Sequence, residues 1–151
     1  MSLNTWKKQY YPTPASRCRK ADAIAHSLRK WRGLRPEALK KHKVYLSGST
    51  MLDNDVYFII DASSCALCRH HLRSEGEECT DCPLHRTLGR DCDDGRGSPY
   101  RALTAEYNPE PMIAALEKTL ARQQRKKKAK KKKASQAKRS TSSPTKHPRR
   151  V

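Results

Sequence analysis

The amino-acid sequence predicts an α+β fold, and three observations carry that expectation. Apolar residues recur at three- and four-residue spacing from Cys18 to Trp31 and again from Met112 to Leu120. A β-branched and aromatic run occupies Val56 to Ile60, and five cysteines crowd between residues 65 and 92. The last stretch of the 151 residues differs so much in composition that the foldable part is nearer about 120 residues. With 35% hydrophobic and 32% charged residues and a single Phe, buried area alone leaves such a domain marginal, and small domains of this kind recruit disulfides or a metal.

The elements follow in order. Trp6, Tyr10 and Tyr11 ahead of Pro12 and Pro14 read as an extended arm anchored by its aromatics, because Pro disfavours helix in the residue before it. From Ser16, residues Cys18, Ala21, Ile24, Ala25, Leu28 and Trp31 share one face of a predicted helix that Gly33 ends. Arg17, Arg19, Lys20, Arg29, Lys30 and Arg32 fall on the opposite face. A second short helix begins at Pro36 with Glu37 in its first turn and adds Lys40, Lys41 and Lys43. Val44–Leu46 and Val56–Ile60 are expected as two short strands, with turn residues at 47–49 and 53–55. The second strand would deliver Cys65 and Cys68 at the end of a hairpin. Asn108, Pro109 and Glu110 supply a cap, a first-turn Pro and an acid for a last helix, striped by Met112, Ile113, Leu116 and Leu120. In Arg125–Lys133 eight of nine residues are basic, a block that repels itself and is expected to be disordered when free, as is the polar remainder.

Four segments result: a basic arm and helices at 1–46, an acidic cysteine module at 47–107, a C-terminal helix at 108–125 and a lysine-rich disordered tail at 126–151. Charge follows this division. Residues 1–46 hold 12 Lys/Arg against 2 acids (net +10), residues 47–121 hold 7 against 13 (net −6), and residues 122–151 hold 14 against none (net +14). The start of the chain lacks an apolar signal-peptide region, and the run at 56–60 is too short to cross a bilayer. The expectation is a soluble protein of a reducing cytoplasm, where thiols stay available to metals and no membrane is engaged.

The cysteine spacing is Cys65-x2-Cys68, ten residues, Cys79-x2-Cys82, nine residues, Cys92. Two residues between thiolates let one turn aim both sulfurs at a single tetrahedral ion about 2.3 Å away, and a second pair closes the tetrahedron. Soft sulfur ligands favour zinc, with iron the lesser alternative. One Zn²⁺ is therefore expected on Cys65, Cys68, Cys79 and Cys82, in a β-hairpin and zinc-knuckle core, with Cys92 in reserve as a replacement for Cys79. Cys18 is expected as a small buried hydrophobe. His70, His71 and His85 lie near the cluster, but the thiols suffice to close a site that catalysis would need open, so surface or supporting roles are expected for them. No phosphate-cradling Gly loop, nucleophile elbow or H-E-x-x-H pattern is present. The acids at 91–94 fail the EF-hand spacing at Gly95.

The run Cys65-x-Leu67-Cys68, Cys79-x2-Cys82-Pro83-Leu84, Gly89, Cys92 and Ser98-Pro99-Tyr100 resembles a group of small tailed-bacteriophage proteins. Tyr11-Pro12-x-Pro14, the stretch from Ala25 to Glu37, and Asn108 to Ile113 are similar as well. The resemblance covers most of residues 10 to 120 and implies a phage product in a bacterial host cytoplasm, with no activity to carry over; the lysine block lies outside it.

Two functions are consistent with these features. In the first, zinc fixes a non-catalytic scaffold while Arg17, Arg19, Lys20, Arg29, Lys30, Arg32, Lys126, Lys127, Lys128, Lys130, Lys131, Lys132 and Lys133 hold DNA or RNA phosphates without sequence preference. In the second, the acidic zinc module is an adaptor surface for a host protein. A metal-dependent nuclease is the least favoured class.

Overall fold

A computed structural model describes residues 2–72 and 79–140, and the chain forms two units, Met1–Leu120 and Ala121–Val151. The first unit combines helices with one three-stranded antiparallel sheet, as the α+β expectation has it.

The N-terminal stretch is not an extended arm. Helix α1 (Leu3–Tyr10) begins there because Ser2 and Thr5 cap one another: Ser2 Oγ accepts from the Thr5 amide, and Thr5 Oγ1 accepts from the Ser2 amide at 2.9 Å. Pro12 ends it. The expected anchoring by aromatics is present, since Trp6 is fully buried, its indole N–H donates to the Gly33 carbonyl at 2.7 Å, and its ring lies 5.6 Å from Phe58.

The helix expected from Ser16 is broken into two single 3-10 turns, Ala15–Arg17 and Lys20–Asp22, before α2 (Ala23–Arg32). The apolar periodicity holds from Ile24 onward, through Leu28 and Trp31, while Ala21 and Ala25 are exposed. Arg17, Arg19 and Lys20 therefore precede α2 and do not share its outer face.

Helix α3 (Pro36–His42) starts on Pro36, and Lys43 adopts a left-handed conformation (φ 54) that turns the chain into the sheet. Three strands form where two were expected: β1 (Tyr45–Ser47), β2 (Thr50–Asp53) and β3 (Val56–Ile59), in the order β1-β2-β3. Both connections are two-residue loops entered through left-handed residues, Gly48 and Asn54. One face of the sheet, with Met51 buried and Phe58 against Trp6 and Tyr11, packs on the N-terminal helix region. The other face carries exposed Tyr45, Leu52, Tyr57 and Ile59.

Short helices occupy the cysteine region. A 3-10 turn (Ala62–Ser64), capped by Asp61, leads to α4 (Ala66–His71); α5 (Pro83–Leu88) and α6 (Pro99–Glu106) follow. No hairpin presents the first cysteine pair. Helix α7 spans Glu110–Ser140, opened by the Asn108 side chain accepting from the Glu110 amide at 3.1 Å. Met112, Ile113 and Leu116 are buried as expected. Residues 126–140, expected to be disordered, are helical, since Lys, Arg, Gln and Ala are all strong helix formers whose summed propensity opposes the like-charge repulsion. Tail residues 141–151 lie outside the described residues. No described helix is long and apolar enough to cross a membrane.

Candidate metal centre and basic surfaces

The cysteines are placed by helix starts rather than by a hairpin tip. Cys65 is the N-cap of α4, Cys68 stands in its first turn, and Cys82 is the N-cap of α5. Asp91 ties the later segments together: one carboxylate oxygen accepts from the Cys79 amide at 3.1 Å and lies 2.7 Å from His85 Nδ1. Tyr100 fixes Cys92 by donating its amide to the Cys92 carbonyl at 2.9 Å, while its hydroxyl donates to the Ile60 carbonyl at 2.7 Å.

Cys65, Cys68, Cys79 and Cys92 line one cavity of about 320 Å³, together with Lys30, Asp61 and apolar residues of α2 and α7. Cys82 is buried beside it, outside the lining. All six cysteines are free thiols. As the side chains stand, no three His, Cys, Asp or Glu among the described residues converge on a common ion position.

The thiols differ electrostatically. The Cys65 thiol is held well below the usual range by a hydrogen bond from Cys68 and, against the cost of burial, by the Lys30 ammonium; its Sγ also lies 3.9 Å from Ser27 Oγ. Cys68, which donates that bond, is pushed up, as burial pushes Cys79 up to about 11 and Cys92 up to about 12. A cation held by these sulfurs would require them deprotonated.

Lys30 departs from the sequence expectation. Only 1% exposed, it is unavailable to phosphate; its ammonium donates to the Ser64 carbonyl at 2.8 Å and the Ser64 hydroxyl at 3.2 Å. Burial depresses its pKa, opposed by the nearby charges of Cys65, Cys68, Asp61 and Cys92. Sequence reasoning missed this role because lysine on a helix is ordinarily solvated, although Ala23, Ser27 and Lys30 stand at i, i+4 and i+7 and share the buried side.

Two of the three histidines near the cluster, His70 and His85, have structural partners. His70 Nε2 donates to the Cys18 carbonyl at 2.6 Å, and His85 is oriented by Asp91. Cys18 is 8% exposed within the core. Asp91 went unrecognised in the sequence because the acids at 91–94 matched no loop pattern.

Several of the expected phosphate-binding cations already have partners. Arg19 pairs with Asp22 at 2.7 Å, Arg32 with Glu117 at 2.8 Å, and Arg29 donates to the Gln9 carbonyl at 2.6 Å, all on exposed surface. Arg17 and Lys20 are exposed in the 3-10 turns. In the second unit Lys126, Lys127, Lys128, Lys130, Lys131, Lys132 and Lys133 are all exposed on α7.

Compared with protein-family models, curated proteins and solved structures, the chain matches none.

Proposed function

We propose that the chain is a non-catalytic, zinc-stapled, phage-type protein that holds nucleic acid without sequence preference through the basic part of α7, aided by the exposed Arg17 and Lys20. The carrying observation is the helical run Arg125–Lys133 with its side chains exposed. At about 1.5 Å of rise per residue, eight cations in nine residues give about one positive charge per 1.7 Å, close to the density of negative charge along duplex DNA. The run has no apolar stripe, which speaks for a polyanion over a membrane surface.

Zinc is proposed as the staple of the first unit. A lysine ammonium is costly to bury unless an anion compensates it, and four thiolates on Zn²⁺ would leave about two negative charges beside Lys30. Shared lining of one cavity favours Cys65, Cys68, Cys79 and Cys92, so Cys92 is preferred to Cys82 as the fourth ligand.

Fluorescence anisotropy with labelled duplex DNA tests the binding role. Contact with six to ten phosphates predicts affinity falling by about a thousand- to a hundred-thousandfold between about 50 and 200 mM salt, and removal of residues 121–151 should abolish most of it. A flat salt response, or unchanged binding without the tail, would refute the reading. A protein partner retained in a pull-down without the tail would favour the adaptor role.

A further inference from the structure

The outward face of the sheet carries two tyrosines and is exposed among the described residues. Strand register places Tyr45 opposite Leu52 and Leu52 opposite Tyr57, so the three side chains form one row across β1, β2 and β3. Tyr45 is 75% exposed and Tyr57 63%. Scattered exposed apolar residues are ordinary on protein surfaces; three aligned in register across a whole sheet, with Ile59 exposed on the same face, form a platform.

A cleft adjoins this row at its α3 edge. Its volume is about 580 Å³, and Tyr45 and Tyr107 line it with an apolar floor that includes Leu34 and Val44. Lys40 and Lys43 are exposed residues of the same lining, and Lys41 is exposed beside them. Aromatic rings, a cleft of small-ligand size and ammonium groups at its rim together match a nucleotide: a base for the rings, a phosphate for the lysines.

We infer that this face binds unpaired nucleobases, with one base in the cleft against Tyr45 and Tyr107, a further base stacked on Tyr57, and the connecting phosphates on Lys40 and Lys43. The inference rests on the nucleic-acid reading and adds the strand class. Neighbouring strands lie about 4.8 Å apart, so Tyr45 and Tyr57 are separated by about 10 Å, a span bridged by a splayed, single-stranded backbone and not by two bases stacked in a duplex. A duplex buries its base faces and cannot offer them to tyrosine rings. Charge argues against a second copy as the occupant, since two chains of net charge +18 repel one another while the lysines at the rim attract an anion.

The test uses the full chain, a fluorescein-labelled fifteen-nucleotide oligothymidine and a labelled duplex of equal length, in anisotropy titrations at fixed salt. Tyr45→Ala and Tyr57→Ala alter exposed side chains, so both variants should melt as the parent does. Each is expected to weaken oligothymidine binding about five- to a hundredfold and duplex binding less than twofold, while Tyr45→Phe, which keeps the ring, should bind within about twofold of the parent. Parent-like oligothymidine binding by both alanine variants would overturn the inference and leave the tail-based binding intact. Equal losses on duplex and single strand would also overturn it. Failure of the unaltered protein to bind either probe would remove the nucleic-acid reading itself. A sedimentation shift from dimer to monomer in Tyr45→Ala and Tyr57→Ala would assign the face to self-association and overturn it too.

Discussion

Replacing Lys30 by Met separates the metal-centred account from a merely structural one, because the two effects of the change carry opposite signs. Met keeps most of the length of the buried stem and removes the ammonium, which is 1% exposed and bound to the Ser64 carbonyl and hydroxyl at 2.8 and 3.2 Å. Loss of the donor leaves a buried carbonyl unpaired, a cost of about 1–3 kcal/mol. Relief from burying a cation is worth several kcal/mol in the other direction, so metal-free Lys30→Met should melt at or above the parent's temperature. With zinc bound, the variant loses the counter-charge of an anionic tetrathiolate. One unit charge pair about 4–8 Å apart, at an effective dielectric of about 20, is worth about 2–4 kcal/mol, so zinc affinity should drop at least about thirtyfold. Competition against a chromophoric chelator at neutral pH measures it. A variant that binds zinc within threefold of the parent would refute the argument that Lys30 serves the thiolates, as would a large fall in metal-free stability.

Three further outcomes follow from the geometry. A Cβ at Gly33 would stand 2.5 Å from Tyr10 Cγ and 2.8 Å from the Trp6 indole nitrogen, so Gly33→Ala should cost about 2–4 kcal/mol through overpacking and disturbance of the Trp6 hydrogen bond, lowering the melting temperature by about 10–15 °C in calorimetry. Arg35 grips Glu110 through Nε at 2.7 Å and Nη2 at 3.0 Å, and that bond holds the Glu110 carboxyl below its usual range. A carboxylate depressed by folding stabilises above its unfolded pKa and loses that contribution as pH falls through the folded value. Because the pair is solvent-accessible, Glu110→Gln should cost at most about 1 kcal/mol at pH 7 and progressively less as the pH is lowered, as read by urea denaturation across the acid range. Cys18→Ala should leave metal content unchanged, whereas Cys65→Ser should lower it, as measured by elemental analysis of the purified proteins.

The elements legible in the sequence were those with strong local punctuation. Pro36 with Glu37 fixed the start of α3, Asn108 with Glu110 fixed that of α7, and the Ile24, Leu28, Trp31 stripe marked α2. Helix α1 was hidden because Pro12 and Pro14 suggested an extended segment, while the Ser2–Thr5 cap lacks the Glu or Gln of the usual box. Strand β2 holds only four residues, Thr50–Asp53, too few for alternation to emerge. Helices α4 and α5 are six residues each, too short for a 3.6-residue period to be read from them. At the candidate site the thiol spacing was visible, but Lys30 reaches Ser64 from 34 residues away, and the Asp91 link between Cys79 and His85, though local, follows no spacing rule. Charge patterning also overstated the first basic surface, where Lys30 is buried and Arg32 answers Glu117, 85 residues away.

The most direct measurement is the thermal transition of the reduced full chain before and after a chelator strips divalent cations, with zinc content determined on both samples. Apparent zinc binding of the size found for structural sites, about 10–16 kcal/mol, predicts one ion per chain beforehand and loss of the cooperative transition, or a drop of more than about 15 °C, afterwards. A chain that carries no zinc when purified, or that melts at the same temperature with the ion removed, would contradict the account.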